Sequence, residues 1–225
     1  SASDPPLVAA AKVLYQSING GASTAEYNAA AAAVGGDIGA AGTFEADGYT
    51  VVTPGNPLDL EVGTLAVSAG GSVYLYESTD VTVDNVAFGG VNRIGLDSSV
   101  TPLIGAGSLS GLTAGLHAKI ETLNGTLTVG GVGADAGGDV LLAANGTGSD
   151  VVLDSDVYFD GHATVLARDS VLQNADIYSV PYGDFTVDVE AFEGNIVMAG
   201  DATSVSGYEA GGHIRYAAAG DVTLG

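Results

Sequence analysis

The stretch TLAVSAGGSVYLYESTDVTV, residues 64–83, decides the fold. Leu65 and Val67 alternate with small or polar neighbours, then Val73 and Leu75 do, then Val81 and Val83. Each pair begins eight residues after the last, and Gly, Ser or Asp fills the space between. Apolar residues at every second position mark a strand with one buried face. Runs with only two inward residues are short for an open sheet but suit one side of a coil.

The same alternation recurs outward from this stretch. Val151, Leu153, Ser155, Val157 and Phe159 share one face, with Val152, Asp154, Asp156, Tyr158 and Asp160 on the other. Phe185, Val187 and Val189 alternate with Thr186, Asp188 and Glu190, and the step of eight returns between Ile214 and Val222. The body, residues 43–225, therefore reads as mainly β. Two architectures accommodate it. A β-sandwich would pair the runs antiparallel. A parallel β-helix, a solenoid, would coil them into stacked rungs. The β-helix is favoured because Gly-Asp, Gly-Asn and Gly-Ser pairs stand just before strands, as corner residues would. Frequent inward Ala and Ser also suit a narrow interior. At roughly 20 to 26 residues per coil, residues 43–225 would give about seven to nine coils and a rod on the order of 40 Å long. Residues 89–115 are Gly- and Leu-rich with poor alternation, so an irregular loop or distorted coils are expected there.

Residues 1–42 have a different period. Asp4-Pro5-Pro6 can open a helix, and Leu7, Ala11, Leu14, Tyr15 and Ile18 fall on one helical face before Gly20-Gly21. Ser23-Thr24-Ala25-Glu26 has the capping-box form, and Tyr27 to Val34 contains five alanines before Gly35-Gly36. The pattern predicts a short helical hairpin that caps the β body or docks on a neighbour.

Composition narrows the partners. The chain has 27 Asp and Glu against 5 Lys and Arg, a formal net charge of −22. Nucleic acid is excluded as a partner, because phosphate binding needs clustered cations, and anionic lipid is disfavoured for the same reason. No run reaches the about 18 consecutive apolar residues of a membrane helix, so no membrane insertion is expected. There is no cysteine, hence neither disulfide nor thiolate metal site. The chain begins Ser1-Ala2-Ser3, without Met, as expected of a processed or partial chain.

No catalytic constellation stands out, and a non-enzymatic role is expected. His117, His162 and His213 are far apart in sequence, Arg93, Arg168, Arg215, Lys12 and Lys119 are scattered, and carboxylates are too common for any pair to be singled out. Gly130-Gly131-Val132-Gly133-Ala134-Asp135 matches the start of the calcium-binding nonapeptide repeat, but Gly137 stands where a large apolar residue belongs. It reads as a glycine turn. Calcium remains compatible with the acidic faces, since hard cations take carboxylate oxygens, with no ligand set named. No other cofactor is expected. Asn124-Gly125-Thr126 and Asn145-Gly146-Thr147 are glycosylation sequons as well as tight-turn dipeptides. Tyr74 and Tyr76 alternate out of phase with Val73 and Leu75, so they should face outward as a surface contact for sugars or for another subunit.

Three phrases carry a resemblance. Gly137-Gly138-Asp139-Val140-Leu141-Leu142-Ala143-Ala144, Gly194-Asn195-Ile196-Val197-Met198-Ala199 and Ala219-Gly220-Asp221-Val222-Thr223-Leu224 resemble the repeats of filamentous-haemagglutinin-like adhesins and of giant bacterial surface proteins. The resemblance covers residues 58–88 and 124–225. It implies a right-handed parallel β-helix, secretion to the cell surface, and a role in adhesion or matrix building. Of the Asn-Pro motifs of a two-partner secretion domain, only Asn56-Pro57-Leu58 is an echo.

Together these readings predict an extracellular structural or adhesive surface protein, a rigid β-helical rod that mediates adhesion or self-assembles into a filament or sheath. Its partners would be copies of itself or a continuing chain, with surface glycans as a further class. The alternative is a polysaccharide-binding or polysaccharide-degrading β-helix protein. The closing run, Ile214 to Leu224, is expected to need a further strand partner beyond Gly225.

Overall fold

The computed structural model describes residues 15–18, 27–33, 36–40, 43–44, 51–53, 56–88, 91–103, 107–179, 183–207 and 212–225. The eight-residue step of the sequence is one side of a three-strand coil. Thr64–Ala69, Val73–Glu77 and Val81–Val83 are three successive sides of the first coil, and none of them is a hairpin partner of the next. Val73 pairs in parallel with Ala118, and Val81 with Leu127, in the coil above. The chain is thus a parallel β-solenoid, and the antiparallel sandwich is excluded for its body.

On the second side, Ala118 pairs with Val140, Val140 with Ala163, Ala163 with Val187 and Val187 with Ile214, steps of 22, 23, 24 and 27 residues. Four regular turns run from Leu112 to Met198, between the first coil and a last one built from Ser204–Ser206, His213–Ala218 and Val222–Thr223. The expected seven to nine coils are too many. Residues before Thr64 add one interrupted layer, in which Tyr27–Ala33, Ile38 and Leu58–Leu60 lie parallel beneath the first coil and Thr64 and Leu65 pair with Thr82 and Val83. The insertion after Val83 adds none, and from Thr64 onward the stack spans five coil steps, about 24 Å at 4.8 Å per step.

The interior is apolar, as the alternation requires. Val73, Ala118, Val140, Ala163 and Val187 form one inward column, and Leu75, Ile120, Leu142, Val165 and Val189 the next, all buried. Among the described residues, Phe159 is the largest side chain fully enclosed. Ser72, Glu77, Thr122, Ser149, Gln173, Ser179 and Ser206 are the buried polar ones among the described residues, and Glu77 and Gln173 are the largest of them. Glu77 is buried at the first coil and accepts main-chain hydrogen bonds from Val62 (3.0 Å), Ser78 (2.9 Å) and Thr79 (3.3 Å). Desolvation pushes its carboxyl up from the usual range, and those donors oppose the rise. Gln173 is buried nearer the other end, where its Nε2 donates to Thr203 O at 3.0 Å and its Oε1 accepts from Tyr216 Oη at 2.7 Å.

Two expectations are corrected. The helical hairpin is not what the described part of residues 1–42 forms. Tyr15–Ile18 and Tyr27–Ala33 are antiparallel strands, and Tyr27–Ala33 lies parallel on Thr64–Ala69. Alanine favours helix locally, but the first coil offers a row of unpaired N–H and C=O groups, and pairing them outweighs a propensity of a few tenths of a kcal/mol per residue. The remainder of the expected helices lies outside the described residues. Tyr27–Ala33 covers the edge of Thr64–Ala69 that faces away from the stack. Ile38 is buried and bridges to Val73, and Leu58–Leu60 pairs with Leu75–Glu77. The segment near residues 89–115 is an insertion made of antiparallel pairs, Asn85–Phe88 with Gly107–Ser110 and Val91–Ile94 with Val100–Leu103. The stack resumes at Leu112.

Candidate functional site: the histidine corner and the face beside it

The Gly-Asp, Gly-Asn and Gly-Ser pairs have a specific mechanical meaning. At the corner after the second side, Asp80, Thr126, Asp150, Ser170, Asn195 and Asp221 stand one above another. Each of the first five side chains accepts the backbone N–H of the next residue up: Thr126 N to Asp80 Oδ1 (2.7 Å), Asp150 N to Thr126 Oγ1 (3.2 Å), Ser170 N to Asp150 Oδ1 (2.8 Å), Asn195 N to Ser170 Oγ (3.1 Å) and Asp221 N to Asn195 Oδ1 (2.7 Å). Where the donating residue follows a glycine, as Thr126, Asn195 and Asp221 do, that glycine makes room for the accepting side chain. A methyl group on Gly194 would collide with Ser170 Oγ, and one on Gly220 with Asn195 Oδ1. Asp80 and Asp150 are thus rungs of a ladder that locks coil to coil.

The corner before the second side carries the same device, and it gathers all three histidines. Asp37, Ser72, His117, Asp139, His162, Thr186 and His213 form one column. Asp37 Oδ1 accepts from Ser72 N (2.5 Å), Ser72 Oγ from His117 N (3.4 Å), His117 Nδ1 from Asp139 N (3.0 Å), Asp139 Oδ1 from His162 N (2.8 Å) and His162 Nδ1 from Thr186 N (3.2 Å). Gly138 and Gly161 leave the space taken by His117 Nδ1 and Asp139 Oδ1. Because both imidazoles use Nδ1 as an acceptor, their neutral rings carry the proton on Nε2, which the ladder leaves free to donate. His117 Nδ1 also lies 3.3 Å from Asp139 Oδ2, and the His162 ring packs edge-on against Phe185 with centroids 6.0 Å apart. Spacing in sequence hid this column. One signal could have found it: His117, His162 and His213 each stand just before an alternating run of the second side.

Beside the column, the outer surface of the second side holds a shallow depression of about 500 Å³, lined by Tyr74, His117, Lys119, Asp139, Leu141, His162, Thr164 and Leu166, among others. Tyr74 and Tyr76 face outward as expected. Tyr74 lines the depression, and Lys119 Nζ sits 4.9 Å from the Tyr76 ring centroid and 2.7 Å from Glu121 Oε2. Partial burial works against the Lys119 charge, but Glu121 and the Tyr76 hydroxyl outweigh it and hold the ammonium above its usual value.

No protein-family model, curated protein or solved structure matches this chain.

The remaining candidates fall elsewhere. Asn124 and Asn145 are exposed on adjacent coils, and Asn145 Nδ2 donates to Glu121 Oε1 at 2.6 Å. Gly130 to Gly133 is a tight turn closed by Gly133 N to Gly130 O at 2.9 Å, with Gly131 and Gly133 at positive φ. Among the described residues, no group of three or more His, Asp or Glu comes together to hold a metal ion. Arg93 lies exposed on the insertion, Arg168 pairs with Glu193, and Arg215 pairs with Asp188 and Glu190. Lys12 lies outside the described residues. One outward feature was missed in the sequence: Tyr158 and Tyr178 stack edge-to-face on the first side at 5.4 Å, and a hydrogen bond to Asp160 pushes the Tyr158 hydroxyl up to about 12.

Proposed function

We propose that this chain is the rod of a secreted cell-surface structural or adhesive protein of the filamentous-haemagglutinin-like kind, with a structural rather than a catalytic role. The observation that carries the reading is the ladder. Side chains at the corners bond each coil to the next in one continuous register, which makes a stiff spacer rather than a cleft-bearing scaffold. The last described coil has the geometry of a surface that takes another coil. Its three strands are paired on one side only among the described residues. Ile214 and Val222 occupy inward columns whose lower members are 3% exposed or less, yet they are 43% and 42% exposed. A further parallel coil, from a continuing chain or a second copy, would cover them. The strong negative charge opposes self-association and is screened by salt.

Negative-stain microscopy of the purified chain across a salt series tests this. Short rods that lengthen into filaments as salt rises support assembly. Particles that remain single at every salt concentration would sink the assembly half.

A further inference from the structure

We propose that the depression on the second side binds a neutral oligosaccharide. Three features on this face select that ligand class. The first is apolar area: Tyr74, Leu141 and Leu166 line the depression and give a platform for the carbon face of a sugar ring. The second is a mixed set of hydrogen-bonding groups. The two imidazoles are fixed by the ladder with Nε2–H as donor, Thr164 offers a hydroxyl, and the Asp139 carboxylate, half exposed, offers an acceptor. The third is charge. A chain at −22 repels polyanions, and within the patch Lys119, paired with Glu121, and Asp139 leave charges of both signs and no excess to hold an ion. A polyhydroxylated neutral ligand meets both conditions. The lining residues come from the first four coils, so the depression runs along the rod for three coil steps, about 14 Å at 4.8 Å each, which suits a short chain of sugars lying parallel to the axis.

The ladder is what makes this a site rather than a loose cluster. His117 and His162 cannot rotate without losing main-chain hydrogen bonds at 3.0 and 3.2 Å, so their donors are preorganised two coils apart. The proposal rests on the surface-protein reading for its biological setting, to which it adds a ligand for the adhesive role.

The test uses the full chain on an array carrying neutral gluco-, manno-, galacto- and xylo-oligosaccharides beside acidic oligogalacturonate and alginate, followed by calorimetry with the strongest binder. The expected result is binding to a neutral oligosaccharide at least tenfold tighter than to either acidic probe. Tyr74→Ala and Leu141→Ala should each weaken it fivefold or more, and Tyr178→Ala, on the first side, should leave it unchanged. These positions are outward and outside the ladder, so circular dichroism should match the parent. No binding to any neutral probe, a preference for the acidic probes, or binding indifferent to both substitutions would overturn the proposal. A rod that binds no sugar in this assay would leave the rod reading intact.

Discussion

At the scale of the residue, the unit of this fold is a polar residue at a corner whose side chain accepts the N–H one coil up. Where that N–H follows a glycine, as at Gly138, Gly161, Gly194 and Gly220, the missing side chain clears the way. Gly161→Ala and Gly220→Ala place a methyl group against Asp139 Oδ1 and Asn195 Oδ1, whereas a methyl group on Gly200 meets nothing within 4 Å. The first two substitutions should each destabilise by about 1–3 kcal/mol, as overpacking does, and Gly200→Ala by much less, measured by urea denaturation. Buried Glu77 gives a prediction of opposite character. Its folded pKa lies above its unfolded value, so its contribution to stability is fully present at low pH and is lost as pH rises through the folded pKa. Relative to Glu77→Gln, the parent should therefore gain stability as pH falls from 7 towards the ordinary carboxylate range. Urea midpoints of the pair at several pH values check it; a gap that is flat or moves the other way would show that the donors from Val62, Ser78 and Thr79 outweigh desolvation.

At the scale of the element, Leu65 to Val83 made the strands and their spacing legible, because period two and a step of eight are local properties. The pairing partners were not local. The first coil and the second are joined by Val73 with Ala118, with the insertion between them, so no fixed period relates His117 to Ser72. The alanine run failed for a different reason. Helix propensity is a property of the segment, whereas the strand at Tyr27–Ala33 is imposed by the open edge of Thr64–Ala69. This difference is measurable. Ala30→Val with Ala32→Val should stabilise a strand by up to about 1 kcal/mol and destabilise a helix. A lowered thermal midpoint in that variant would contradict the capping strand. The candidate site was half legible: Tyr74 followed from phase alone, whereas the histidine column needed the register.

At the scale of the whole molecule, the central claim is that the coils are stacked in parallel, in one register, from Leu112 to Met198. The absence of native cysteine makes this directly testable. Thr128 and Val152 are register partners on adjacent coils, and Val152 is in turn the partner of Leu172. Adjacent parallel strands place such Cα atoms about 4.8 Å apart, within reach of a disulfide, and positions two coils apart at about twice that distance, beyond it. The decisive measurement is mass spectrometry of two double-cysteine variants after mild oxidation. Thr128→Cys with Val152→Cys should form an intramolecular disulfide in nearly all molecules, and Thr128→Cys with Leu172→Cys should form none. Failure of the first pair, or equal crosslinking of both, would contradict the stacked-coil account.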